Sequence, residues 1–240
     1  MTDPSSAAPS SSPYQSDGPS MLDPLTQVTV YGGPSNRGGR ALWALEELGI
    51  AYEVKNLALF KGEQRSPDFL AINPKGKVPT LTIAHPDYDL EVITESLAIL
   101  CVLAQRYGQG RLWPSENRIQ ARCHQWLAFG VTELEPPIWI HAKHSFIYPE
   151  KRRVNEIFPS CMYDYKRAVL ILEGALSDER PWLCGDRFYI ADLLIAHTLM
   201  WGELRQLGEL PKYTRDYLSR AKARPAWSRV YGAEPSPTVR

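Results

Sequence analysis

The chain has 240 residues, 27 basic and 27 acidic side chains that cancel, and 44% hydrophobic residues. That length supports one large core or two small ones. A balanced charge argues against a phosphate-backbone partner, so no nucleic acid is expected. Nothing approaches ~18 uninterrupted apolar residues, so no membrane span is expected either.

Residues 1–25 are rich in Ser, Pro and Ala and poor in large apolar groups. Such a segment cannot offset the entropy of ordering, so it reads as a disordered tail, with Met21 an alternative start. Residues 234–240 read as a second loose end. The opening lacks the basic start and apolar run of a secretory leader. Cys101, Cys123, Cys161 and Cys184 are widely spaced, with no Cys-x-x-Cys pair. A core of this size needs no disulfides, so free, packed thiols in a reducing, cytoplasmic compartment are expected.

Residues 26–107 alternate in texture. A strand is predicted over 27–31, then a helix over 37–48 with Leu42, Leu45 and Leu48 at helical spacing and Gly49 as its stop. Strands follow at 52–57, 78–83 and 90–93, a short helix at 66–71 and a longer one at 95–106. The order β-α-β-α-β-β-α implies a small mixed sheet with helices packed on it. After a linker at 108–115 the pattern of residues 116–233 is helical only. Helices are predicted over 116–146 with a kink at Pro136 and Pro137, then 151–176, 190–207, 212–221 and 226–230.

Three short motifs stand out. Tyr31 to Arg40 runs from strand to helix through Gly32, Gly33, Ser35, Asn36, Gly38 and Gly39. Its glycines allow a tight turn, and the helix start offers unpaired N–H groups. It is no phosphate loop, and the plainest role for Ser35 or Asn36 is a helix cap. Asn73 to Thr80 contains Pro79 before an apolar run, which fits a strand start. A cis Val78–Pro79 bond would leave the Val78 main chain free to pair with an extended peptide. Thr94, Glu95 and Ser96 sit where a strand meets a helix, a place that can hold a carboxylate through N–H groups and an ammonium through the acid, or where these residues simply cap the helix.

In this order and spacing, the motifs resemble the cytosolic glutathione transferases. The likeness runs from about Val28 to Trp227, and takes in Leu45 to Ile50, Phe69 to Pro74, and the stretch from Pro181 to Asp192 that matches the family's helix-capping signature. The resemblance implies an α/β thioredoxin-like N-terminal domain plus an all-α helical C-terminal domain. It implies glutathione as co-substrate, no metal, and a small-molecule electrophile in the interdomain cleft. A homodimer is expected by the same likeness. Val78, before Pro79, would pair with the cysteinyl part, Glu95 and Ser96 with the γ-glutamyl end, and Lys77 with the glycyl carboxylate, Gln64 being a weaker candidate. Ser35, five residues before Arg40, takes the place of the family's catalytic serine, with Asn36 as the alternative, since related bacterial sequences carry serine one place later. Trp126 and Phe129 would line the electrophile pocket, or serve as plain inter-helix core.

The chemistry has a size. A free thiol is only about 3% ionised at pH 7. Lowering its pKa by ~2 units needs ~2.7 kcal/mol. A helix N-terminus supplies about 0.3–1 kcal/mol, and a hydrogen bond to the charged sulfur roughly 1.5–3 kcal/mol. A side-chain donor is therefore the larger contribution. Conjugation is the leading reading. The rivals are a non-catalytic glutathione-binding carrier or regulator, and a glutathione-dependent thiol reductase or peroxidase, although the opening turn lacks the cysteine a cysteine-type reductase needs.

Several residues read as structural. Arg40 is expected in packing and ion pairing, Cys184 in the core, and His141 with His144 as an i, i+3 pair lacking a third metal ligand. Tyr189 replaces the usual Ser/Thr of the capping box, so only the Asp192 half is expected to survive.

Overall fold

The structure, a computed structural model, describes residues 26–108 and 110–232. The expected tails lie outside the described residues. The strands are β1 (Gln27–Tyr31), β2 (Glu53–Lys55), β3 (Thr80–His85) and β4 (Tyr88–Thr94), in the order β2-β1-β3-β4. β1 pairs parallel with β2 and antiparallel with β3, which pairs antiparallel with β4. The parallel pair requires a crossover, and α1 (Gly38–Leu48) provides it. Gly49, at φ 70°, closes α1 in the left-handed conformation that glycine adopts without cost.

α2 (Pro67–Ile72) is capped by Ser66, whose hydroxyl accepts from the Phe69 N–H. α3 (Ser96–Tyr107) packs with α1 against the sheet, burying Ile99, Leu100 and Leu103 with Val30, Leu42, Leu45 and Leu81. β3 begins two residues later than its apolar run predicted. Pro79 has no N–H to give the ladder, and the buried Asn73 amide instead ties the Lys77 carbonyl and Thr80 hydroxyl, each at 2.9 Å.

Beyond Thr94 the regular structure of the described residues is helical, with isolated bridge residues such as the pair Trp182 and Gly185 between the helices. The helices are α4 (Asn117–Phe129), α5 (Glu135–Ala142), α6 (Phe158–Ala175), α7 (Ile190–Leu204), α8 (Lys212–Lys222) and α9 (Pro225–Tyr231). A π-helical turn at Gly130–Leu134 joins α4 to α5. Pro136 and Pro137 fall in the first turn of α5, where a missing N–H costs little. The irregularity therefore precedes the prolines. It falls where Gly130 lets Leu194 and Ile195 of α7 come close. α6 starts later than the sequence predicted, because two 3-10 turns and the extended Val154 occupy the approach.

α7 is the buried axle of this half: Ile190 through Leu199 are all buried. At its start Asp192 Oδ2 accepts from the Tyr189 N–H at 2.9 Å, as expected. The Asp192 N–H is met by the Tyr189 carbonyl at 2.9 Å rather than by the phenol. α9 folds back on α1. Trp43 meets Trp227 edge-on at 5.0 Å, and Arg224 forks onto Glu47 at 2.6 and 2.7 Å.

Candidate functional site

The β1–α1 turn, the segment before β3 and the β4–α3 junction supply three groups of expected site residues. In the first, Asn36 Oδ1 accepts from the Gly38 N–H at 2.8 Å and the Gly33 N–H at 3.4 Å. Two backbone donors dictate that the amide oxygen faces the turn, which leaves Nδ2 with its hydrogens to give. Gly38 permits this closeness: a Cβ there would stand 2.7 Å from the Gly33 nitrogen. Ser35 is exposed, and its hydroxyl has no partner among the described residues. Asn36 thus takes the capping role that the sequence left open between the two.

In the second group the Val78–Pro79 bond is cis. Among the described residues the Val78 N–H and C=O have no backbone partner. Lys77 is exposed. Gln64 Oε1 is buried without a partner among the described residues, an orphan acceptor of the kind that calls for a ligand or a water. The Gln64 main chain abuts Gly76, at φ 59°, where a Cβ would lie 2.8 Å from the Gln64 carbonyl oxygen.

In the third group Glu95 adopts φ 69°, ψ 119°, a region that costs a non-glycine residue about 1–3 kcal/mol. Its carboxylate is exposed and paired with the Lys75 ammonium at 2.9 Å, which also donates to the Thr94 hydroxyl at 3.0 Å. Lys75 was not singled out in the sequence; it lies 20 residues from Glu95, and no local spacing joins them. Ser96 is buried and accepts from Arg40 Nη1 at 3.0 Å, so its own hydroxyl hydrogen remains to donate.

Arg40 is the hub beneath the turn. It is 1% exposed, and besides Ser96 it donates to His197 Nδ1 at 3.2 Å, to Thr198 Oγ1 at 2.9 Å and to Glu135 Oε2. Arg37 donates to the other Glu135 oxygen and lies over the rings of Trp139, 4.5 Å from its centroid, and Trp201, 4.8 Å from its centroid. Burial works to raise the Glu135 carboxyl, but the charges and hydrogen bonds of Arg40 and Arg37 outweigh it and hold the group below its ordinary range. Burial lowers Arg37, with Glu135 opposing. Burial also drives His197 well below 6.5, assisted by both arginines and opposed by a hydrogen-bonding contact with the Asn36 main chain.

Trp126 and Phe129 meet edge-to-face at 5.4 Å, both half-buried. The aromatic residues in contact with the turn are instead Trp139 and Trp201, through Arg37; their separation from it in sequence hid them. His141 and His144 are occupied with Ser145 and with the Val154 N–H. Among the described residues no group of three or more candidate metal ligands occurs, and no helix is long and apolar enough to cross a membrane. All four cysteines are free, and Cys184 is buried.

Residues 35–106 match the family profile of the glutathione S-transferase N-terminal domain. Glutathione S-transferase 1 of Schizosaccharomyces pombe is 36% identical over 175 residues, covering 70% of this chain and 73% of that protein. The chain belongs to the glutathione S-transferase family. Among the other relatives of this family member, the disulfide-bond oxidoreductase YfcG of Escherichia coli is 29% identical, covering 69% of this chain and 76% of its own. The fold agrees with that of the glutathione transferase URE2P6 from Phanerochaete chrysosporium in complex with oxidized glutathione, with a TM-score of 0.73 at 28% identity over 86% of this chain and 96% of that one. The mixed sheet and the helical part that follows it are those of the thioredoxin-like N-terminal domain and the mostly helical C-terminal part of this family.

Proposed function

We propose that this protein binds glutathione across the three groups above, ionises its thiol at the start of α1 and directs the thiolate at a hydrophobic electrophile. The observation that carries this is the Asn36 amide, whose oxygen is tied to the Gly33 and Gly38 N–H groups, leaving a fixed Nδ2 donor beside a helix start. That donor supplies roughly the 1.5–3 kcal/mol of charge-assisted bonding that thiolate formation needs. The geometry favours it over Ser35, whose exposed hydroxyl is not held.

The remaining groups fit a tripeptide charged at both ends. The unpaired Val78 main chain offers a donor and an acceptor to the cysteinyl unit. Gln64 Oε1 offers an acceptor to a ligand N–H. Lys77 supplies a cation for the glycyl carboxylate, and Glu95 with the Ser96 hydroxyl receives the γ-glutamyl end. The electrophile would lie against the helical part, toward Trp139 and Trp201 and, further along, Trp126 and Phe129. The division into a glutathione-binding domain at 26–107, a linker at 108–115 and a helical domain at 116–233, the homodimer and the cytoplasmic location belong to the same proposal.

Retention on immobilised glutathione together with turnover of an aryl halide tests this reading. Retention without turnover on a panel of electrophiles would favour a carrier. A second reading, glutathione-dependent disulfide reduction, draws on the likeness to YfcG. Reduction of mixed disulfides in preference to halide displacement would favour it, and since the β1–α1 turn has no cysteine, that activity would have to use the thiolate of glutathione itself.

A further inference from the structure

His197 lies on α7, 3% exposed. A neutral imidazole offers one donor and one acceptor, and its neighbours decide which nitrogen plays which part. The Arg40 guanidinium can only donate, and its Nε lies 3.2 Å from Nδ1. Nδ1 therefore carries the lone pair and Nε2 the proton. Burial and the two arginines keep the ring neutral, so this tautomer persists. The ring also hydrogen-bonds the main chain of Asn36. With Nδ1 occupied as an acceptor, that bond runs from the Nε2–H to the Asn36 carbonyl.

Asn36 is otherwise held by its own turn. Its side-chain oxygen takes the Gly38 and Gly33 N–H groups. Its N–H donates to the Gly33 carbonyl at 3.2 Å, and its carbonyl accepts from Gly39 at 3.0 Å. Those partners belong to the same short segment and would move with it. His197 reaches the turn from outside, anchored on α7 and, through Arg40, on Glu135 of α5. A donor aimed at a developing anion must be held to within about 0.5 Å of its place. A misplacement of ~1 Å can cost on the order of 10²-fold in rate. We propose that His197 is a positioning residue: its Nε2–H clamps the Asn36 carbonyl and so fixes the Nδ2 donor against the sulfur of bound glutathione, while Arg40 sets the tautomer that makes the clamp. This rests on the proposed thiolate chemistry and deepens it. The helical part thereby helps to ionise the thiol through a residue that does not touch the sulfur.

Two substitutions separate the two nitrogens. His197→Asn puts an amide oxygen near the place of Nδ1, keeping an acceptor for Arg40, but is too short to reach the Asn36 carbonyl. His197→Gln puts its terminal amide near the place of Nε2 and restores that donor. The measurements are steady-state kinetics with an aryl halide, and the thiolate absorbance of bound glutathione as pH is varied. His197→Asn should lower kcat about tenfold with KM for glutathione little changed, and raise the bound thiol pKa by about 1 unit. His197→Gln should regain most of both. In an Asn36→Ala background, His197→Asn should change kcat by less than about twofold, because the group it positions is gone. A merely structural histidine would lower the melting temperature in both variants and leave the thiol pKa where it was. An unchanged thiol pKa in His197→Asn, or a full loss of rate that persists without the Asn36 amide, overturns the proposal. If neither variant folds, nitrogen NMR of the ring in the unaltered protein decides. A hydrogen-bonded, slowly exchanging proton on Nε2 supports the clamp, and a proton on Nδ1 overturns it. An unshifted thiol in glutathione bound to the unaltered protein overturns the underlying reading, and the proposal with it.

Discussion

The Arg40 guanidinium donates through Nε to Nδ1 of His197, 3.2 Å away and 157 residues on in sequence. The same guanidinium reaches Ser96, Glu135 and Thr198. One side chain of α1 therefore ties the β4–α3 junction to α5 and α7, and the opening turn to the helical part. Removing it strands Glu135, leaving a buried carboxylate held only by Arg37. Arg40→Met should destabilise the protein by about 3–5 kcal/mol, the cost of breaking a buried pair. Denaturant unfolding with an unchanged slope would register it.

His197 also gives a pH dependence with a definite sign. Its folded pKa lies well below 6.5, through burial first and the two arginines second. Below the unfolded value the unfolded chain binds the extra proton, so stability rises with pH through this window and is lost as pH falls beneath about 6.5. Arg40, Arg37 and the Asn36 main chain face the ring, and Glu135 lies beyond Arg40. His197→Asn should flatten the stability curve between about pH 5 and 6.5 relative to the parent. Parallel curves for the two proteins would show that the histidine is not held neutral.

Much of this architecture was legible in local patterns. β1 matched its alternation residue for residue, and α1 ended at Gly49 as its αL cap demands. Tyr189 and Asp192 kept the half of the capping box that the residue types allowed. Arg40 and Cys184 took the structural roles assigned to them. What local patterns could not reveal was long-range. Lys75 and Glu95 meet through a β-hairpin, and Arg37 meets Trp139 and Trp201 only after the second half has folded onto α1. The π-helical turn was missed because Gly130 serves its partner, Leu194, rather than its own helix. Asn36 and Ser35 were ordered by counting from Arg40, and counting carries no information about which side chain the turn's N–H groups immobilise.

Asp192 is fully enclosed and accepts from the Tyr189 and Leu183 N–H groups, each at 2.9 Å, and from the Tyr217 hydroxyl at 3.1 Å. Burial pushes its pKa up to about 6 despite those donors. Asp192→Ala leaves the Tyr189 and Leu183 N–H groups buried and unmet, while the Tyr217 hydroxyl keeps the residue-192 carbonyl, 3.2 Å away, and should cost about 3 kcal/mol, seen as a lower unfolding midpoint. Because its folded pKa is raised, the parent should gain stability relative to Asp192→Asn as pH falls from about 6 toward 4, the reverse of the His197 effect.

Gly202 on α7 lies against the Tyr165 ring and hydroxyl, so that an added Cβ would overlap them. Tyr165 is among the largest fully buried side chains. Gly202→Ala should therefore destabilise by about 1–3 kcal/mol through overpacking, although alanine is the better helix former. The double variant with Tyr165→Phe, which removes the overlapping hydroxyl, should recover part of the loss, measured as a non-additive change in unfolding free energy.

Catalysis separates the two residues of the turn. Asn36→Ala should lower kcat by about 10²-fold or less with KM for glutathione little changed, as expected when a donor acts on the developing anion. Ser35→Ala should leave both within about threefold, since a change of 1.4 kcal/mol is needed for tenfold. The reverse pattern would move the donor to Ser35.

The most direct measurement is the pKa of the thiol in bound glutathione, followed by the ultraviolet absorption of its thiolate as pH is varied. The account predicts saturable binding with a thiol pKa about 2 units below that of free glutathione, returning toward the free value in Asn36→Ala. Glutathione that binds with an unshifted thiol, or does not bind to the folded chain at all, would contradict it.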